Sequence, residues 1–146
     1  MIRTDIRNAI FDDLATITIA NSYNLDLQKV YKTFKVLSDI KDNQFPCASV
    51  LEGNSIKKYS GESEMVEWTL AITGYLKVNK DFEDEGTLDQ EIDKFLEDIE
   101  TLFDTLTNLE KVTEVESLEI LGYMPDESNY GNTGMVYIPM KITYKN

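Results

Sequence analysis

Histidine does not occur in the sequence, and cysteine occurs once, at Cys47. The first absence removes Ser-His-Asp and Cys-His nucleophilic pairs, histidine metal ligands and the commonest general base. The second removes any intrachain disulfide and any four-cysteine zinc site, and it fits synthesis in a reducing compartment. The seven glycines stand singly, and none falls in a GxxxxGK[ST] or GxGxxG arrangement that would cradle phosphates. No apolar run approaches the length needed to cross a bilayer. The opening MIRTDIRNAIFDDL interleaves charge with apolar residues where a signal peptide would carry a continuous apolar core. A cytosolic product without a membrane partner is expected. Positive charge is scarce as well: 14 Lys and Arg face 27 Asp and Glu, for a net charge of −13. Proteins that grip nucleic-acid phosphates or anionic lipid present a positive footprint, so neither is expected as a bound partner.

What is present suffices for one folded domain spanning 1–146. A chain of 146 residues buries roughly 70% of its extended-chain surface, and 42% hydrophobic with 28% charged residues is an ordinary globular composition. Ile2, Ile6, Ile10, Leu14 and Ile17 recur at helical spacing, which predicts a helix from Thr4 or Asp5 to about Ala20. Leu27 to Phe34 is expected as a strand whose Lys29, Lys32 and Lys35 mark a wet edge. A polar connection, LSDIKDNQ, follows, and Pro46 then opens CASVLE as a short buried strand, with Cys47 a small buried hydrophobe.

The clearest strand is SEMVEWTLAITGYLKVN. Val66, Trp68, Leu70, Ile72, Leu76 and Val78 take one parity, which predicts the core side. Glu67, Thr69, Thr73, Tyr75 and Lys77 take the other, which predicts solvent or a partner. NSIKKYSGES before it extends a hairpin from Val50. Leu88, Ile92, Phe95, Leu96, Ile99, Leu102, Phe103 and Leu106 form a helical stripe, with Thr87 and Gln90 as a capping box, and predict a helix from about Leu88 to Leu109. Two strands, VTEVESLEILGYM and GMVYIPMKITYKN, close the chain. This order predicts an α+β fold: a mostly antiparallel β-sheet with two main α-helices packed on one face.

The segment Asp81 to Asp104 holds eleven carboxylates against Lys94 alone, a local charge of −10. As a calcium loop counted from Asp81 it supplies Glu83, Glu85 and Gly86, but its twelfth position is Ile92, a residue of the apolar stripe, so no metal is expected there. Asp93, Glu97, Glu100 and Asp104 fall opposite that stripe, which makes them a solvated helix face rather than a catalytic pair. No cofactor and no catalysis are expected. By contrast, Lys29 to Lys58 carries six lysines against Asp39, Asp42 and Glu52, a local +3. Such polarity lets the acidic face of one copy meet the basic face of another. The candidate subunit-interface residues are therefore Lys29, Lys32, Lys35, Asp93, Glu97, Glu100 and Asp104.

IRNAIFDDLATITIANSYNLDLQKVY, FPCASV, WTLAITGYLKV, LDQEIDKFLEDIETLF and GMVYIPMKITY together resemble the tail terminator proteins of long-tailed phages, the group that includes the lambda U protein. The likeness spans nearly the whole chain and rests on hydrophobic patterns around Phe45, Pro46, Trp68 and the Ile142 to Tyr144 ending. The segments Leu37 to Gln44 and Asp81 to Gly86 have no match in it. The resemblance implies a subunit of a homo-oligomeric, hexameric ring at the head-proximal end of the virion tail, assembled in the host cytoplasm. Such a ring stops growth of the major tail tube protein and offers a docking surface to the head-completion or connector protein. DNA would pass through without specific binding, and an acidic ring repels phosphate. The alternative among assembly proteins is a head-tail connector or tail-completion (neck) protein; a different class is a carboxylate-based or metal-dependent hydrolase.

Overall fold

The computed structural model describes residues 1–61, 63–78, 87–105, 109–125 and 132–146. These form two α-helices, α1 (Ile2–Leu14) and α2 (Thr87–Thr105), and six strands: β1 (Lys29–Tyr31), β2 (Cys47–Ser60), β3 (Ser63–Lys77), β4 (Val115–Ile120), β5 (Met124–Pro125) and β6 (Thr133–Lys145). The fold is α+β. One sheet runs in the order β1-β2-β3-β6-β4, with β5 also paired to β6. It is antiparallel except where the short β1 lies parallel to the start of β2.

Both helices cover the same face. Alternation along β3 sends Trp68, Leu70, Ile72 and Leu76 to that side, and register places Ile142, Met140 and Ile138 of β6 opposite Trp68, Leu70 and Ile72. Ile6, Ile10 and Leu14 of α1 and Ile92, Phe95, Ile99 and Leu102 of α2 close over this surface in one buried cluster. Gly74 permits the close approach of α2: a Cβ there would lie 2.5 Å from the Phe95 ring. Trp68 is 1% exposed, and the Arg3 and Arg7 guanidiniums of α1 lie 5.2 and 5.7 Å from the centre of its ring, a cation–π arrangement.

Helix α1 ends at Leu14, earlier than its periodicity suggested. Thr16, Ile17 and Thr18 form a β-branched run that is poor in helix. Thr16 Oγ1 instead donates to the Asp13 carbonyl at 2.6 Å, and Thr18 turns extended and caps the 3-10 turn Ile19–Asn21 with its side chain. Ile17 still reaches the core. The strand expected over Leu27 to Phe34 is cut to Lys29–Tyr31, because the chain then leaves the sheet edge. The polar connection that follows contains two 3-10 turns, Leu37–Asp39 and Asp42–Gln44.

That connection closes part of the second face. Ile40, Cys47, Tyr75 and Met135 form a separate buried cluster, with Tyr31, Leu37, Phe45 and Tyr137 packed around it. Tyr75 and Thr73, expected on a wet side, are both fully buried. The correction has a physical reason: the Tyr75 hydroxyl is satisfied where it lies. It accepts from the Lys35 N–H at 3.0 Å, donates to the Lys35 carbonyl at 2.7 Å and shares a hydrogen bond with Ser49 Oγ at 2.9 Å, so a buried tyrosine is well supported.

The β2–β3 hairpin turns at Gly61, whose φ of 66° suits glycine. Beyond Ser49 the outer edge of β2 has no partner strand among the described residues. A register shift between Glu52 and Ser55 interrupts its pairing with β3, and there a Cβ on Gly53 would lie 2.8 Å from the Thr69 carbonyl oxygen.

Candidate functional site

Four buried groups with chemical potential have structural work to do. The Asp98 carboxylate, 2% exposed, accepts from the Asn24 N–H at 2.8 Å and the Leu25 N–H at 3.0 Å. It thereby ties α2 to the turn that precedes β1. Burial pushes its carboxyl above the ordinary value, against the lowering effect of those two hydrogen bonds. Asp13 is fully buried and accepts from the Leu109 N–H at 3.3 Å. Cys47 is fully buried, and burial pushes its thiol up to about 12, which keeps it protonated and unreactive. Burial likewise raises the Tyr75 phenol. Among the described residues, no group of three or more Cys, Asp or Glu side chains is placed to hold a metal ion. The calcium-like stretch Asp81 to Gly86 lies outside the described residues, while Ile92, its would-be twelfth position, is buried in the core.

The surface is where charge is left over. Asp93, Glu97, Glu100 and Asp104 are all exposed along the outer side of α2. Glu97 accepts from Asn24 Nδ2 at 3.2 Å, and none of the four has a cationic partner among the described residues. Lysines divide into two kinds. Lys57, Lys58, Lys77, Lys94, Lys141 and Lys145 each stand within 3.3 Å of a carboxylate oxygen. Lys29, Lys32 and Lys35 have no such partner among the described residues; they lie over aromatic rings. Lys29 and Lys35 come together on Tyr31, at 4.8 and 5.6 Å from its centre, whereas Lys32 points toward α1 and sits 6.0 Å from Phe11. The structure thus brings two of the three lysines onto one ring and turns the third toward α1.

Two apolar features accompany these charges, and sequence reasoning missed both. A groove of 280 Å³ runs between α2 and the end of β4, lined by Leu96, Ile99, Glu100, Ile120, Leu121, Gly122, Tyr123 and Ile138. Its outer residues Leu121 and Tyr123 are 49% and 55% exposed. On the other face, Phe34 stacks on Tyr137 with ring centres 6.4 Å apart, and Val36 is 54% exposed. The available signal was small: apolar residues in LGYM just past a strand, and a TFKV segment that interrupts a strand pattern with lysine.

In comparison with known proteins, the sequence matches no family model and no curated protein. The surfaces themselves therefore carry the functional reading.

Proposed function

We propose that this chain is a structural subunit of a self-assembling ring, acting as a tail terminator at the head-proximal end of a phage tail tube. The observation that carries the reading is the separation of charge: lysines at the β1 edge without a carboxylate partner, and carboxylates on α2 without a cationic one, among the described residues and on different elements of one subunit. Two unlike patches on one molecule suit head-to-tail contacts, which close into rings when the rotation allows. The likeness to tail terminators supports the choice of ring. Its segments supply α1, α2, the start of β2, most of β3 and most of β6, the elements that together build the main core. The described buried carboxylates support a non-catalytic role, because each accepts backbone N–H bonds within the fold.

In this reading the ring caps the growing tube, exposes a surface to the connector and lets DNA pass an acidic wall without sticking. The test is to add purified protein to polymerising tube subunits. Tubes should stop growing, with rings seen by negative-stain microscopy at one end and an oligomer by light scattering. Protein that stays monomeric at high concentration and leaves tube length unchanged would sink the reading. Rings that bind the head side but leave tube length unchanged would replace it with a connector role.

A further inference from the structure

We propose that the groove between α2 and the 120–123 segment is a docking site for a second copy of this chain, which fills it with the Phe34–Lys35–Val36 segment. The proposal rests on the reading of the chain as a ring subunit and names the surfaces that join neighbours. At 280 Å³ the groove falls just below the range of about 300–1,000 Å³ usual for small-molecule pockets, and it suits one or two side chains. Its floor is apolar, and Glu100 on its rim continues into the exposed acids Glu97 and Asp104. The matching guest is an apolar residue flanked by free positive charge.

Among the described residues, the Phe34–Lys35–Val36 segment meets that requirement on the face away from the groove. Large exposed apolar side chains occur at several places, but their neighbours differ. Ile56 precedes Lys57 and Lys58, both already held by Glu64 and Glu67. Leu51 precedes Glu52, and Ile19 has no basic neighbour in sequence. Phe34 and Val36 flank Lys35, which shares the Tyr31 ring with Lys29, and neither lysine has a carboxylate partner among the described residues.

Guest and groove also lie on opposite sides of the sheet. Ile138 points into the groove, and its neighbour Tyr137, under Phe34, points the other way. The pairing therefore runs between copies, head to tail, and repeats from subunit to subunit.

The experiment mixes two variants that each add one cysteine, Val36→Cys and a mass-tagged Leu121→Cys, under mild oxidation. Cys47 is fully buried, so it stays out of the reaction. The expected product is the mixed disulfide, in excess over either like pair. In parallel, Glu97→Lys/Glu100→Lys/Asp104→Lys should weaken self-association about 10-fold at low salt, as the loss of two exposed ion pairs would, and high salt should weaken the parent similarly. Adding Lys29→Glu and Lys35→Glu to that variant should restore association. Assembly that proceeds with only like-pair disulfides, or that ignores both reversals, overturns this interface and leaves the ring reading standing. A parent that is monomeric at every concentration overturns both.

Discussion

The two faces of the sheet are closed by different means. On one side two helices cover β3 and β6 with close-packed apolar side chains, from Ile6 and Ile10 of α1 to Phe95 and Ile99 of α2. On the other, the connection from β1 to β2 crosses only part of the surface, buries a smaller apolar cluster around Ile40 and is pinned by the Tyr75 phenol, which bonds to both backbone groups of Lys35 and to Ser49. Burial of apolar area stabilises the first face in proportion to the area removed from water. Directional bonds determine the second, and their net worth is smaller although their loss is costly. One strand can thus serve a packed core on one side and a pinned loop on the other.

Truncation of the helix-covered face should have the largest effect. Phe95→Ala empties a fully buried site against Gly74 and is expected to cost about 3–5 kcal/mol in urea denaturation. Loss of only 1 kcal/mol would mean that α2 collapses onto the sheet and that the packing is looser than the glycine contact implies.

Tyr75→Phe keeps the ring and removes the pin. It should cost about 1–3 kcal/mol, since the Lys35 N–H and Ser49 Oγ lose a buried partner. Hydrogen exchange gives the sharper readout: the Lys35 amide should exchange faster while the β3 amides facing β6 keep their protection.

The helix side has polar pins of its own, Asp98 among them, so Asp98→Asn tests whether the contrast is absolute. An amide can accept only one of the Asn24 and Leu25 N–H bonds with good geometry, for an expected cost of about 1–2 kcal/mol at neutral pH. The pH dependence has a definite sign. Burial raises the native Asp98 carboxyl above its unfolded value, so its contribution is fully present below the unfolded pKa and is lost as pH rises through the raised native one. The stability difference between parent and Asp98→Asn should therefore shift toward the parent as pH falls across the carboxylate range. Denaturation curves at a series of pH values check this, and a slope of the opposite sign would contradict it.

The smallest effect should come from Thr73, whose buried Oγ1 finds no hydrogen-bond partner among the described residues. Thr73→Val removes that orphan at constant shape and should leave stability unchanged or raise it by up to about 1 kcal/mol. A clear loss would show that the hydroxyl is satisfied, by solvent or by a neighbour that moves.

Much of the helix-covered face was legible in the sequence because its signals are periodic. The stripe from Ile92 to Phe103 and the alternation from Val66 to Leu76 each repeat often enough to fix a face. The second face was not legible, since Thr73 and Tyr75 fall on a polar parity and their burial depends on a loop that arrives from β1. Nor does periodicity reveal where a helix stops: Ile17 continues the α1 stripe and is buried, yet it lies beyond the last helical turn. For the candidate surfaces, the four acids were placed by their position opposite the stripe. The grouping of Lys29 and Lys35 on Tyr31 and the groove beside Glu100 depend on tertiary approach, which no local pattern encodes.

The outer edge of β2 has a bearing on how this protein behaves in a crowded cell. From Val50 to Ser60 its outer backbone groups have no partner strand among the described residues, the kind of template on which stray strands add and aggregates grow. The break in register at Glu52 to Ser55, with glycine where a side chain would strike the Thr69 carbonyl, prevents that edge from being flat and regular. Lys57 and Lys58 then put charge on the half beyond the break. A substitution at Gly53 that straightened the kink would lengthen the regular edge, and is expected to favour deposits over soluble protein.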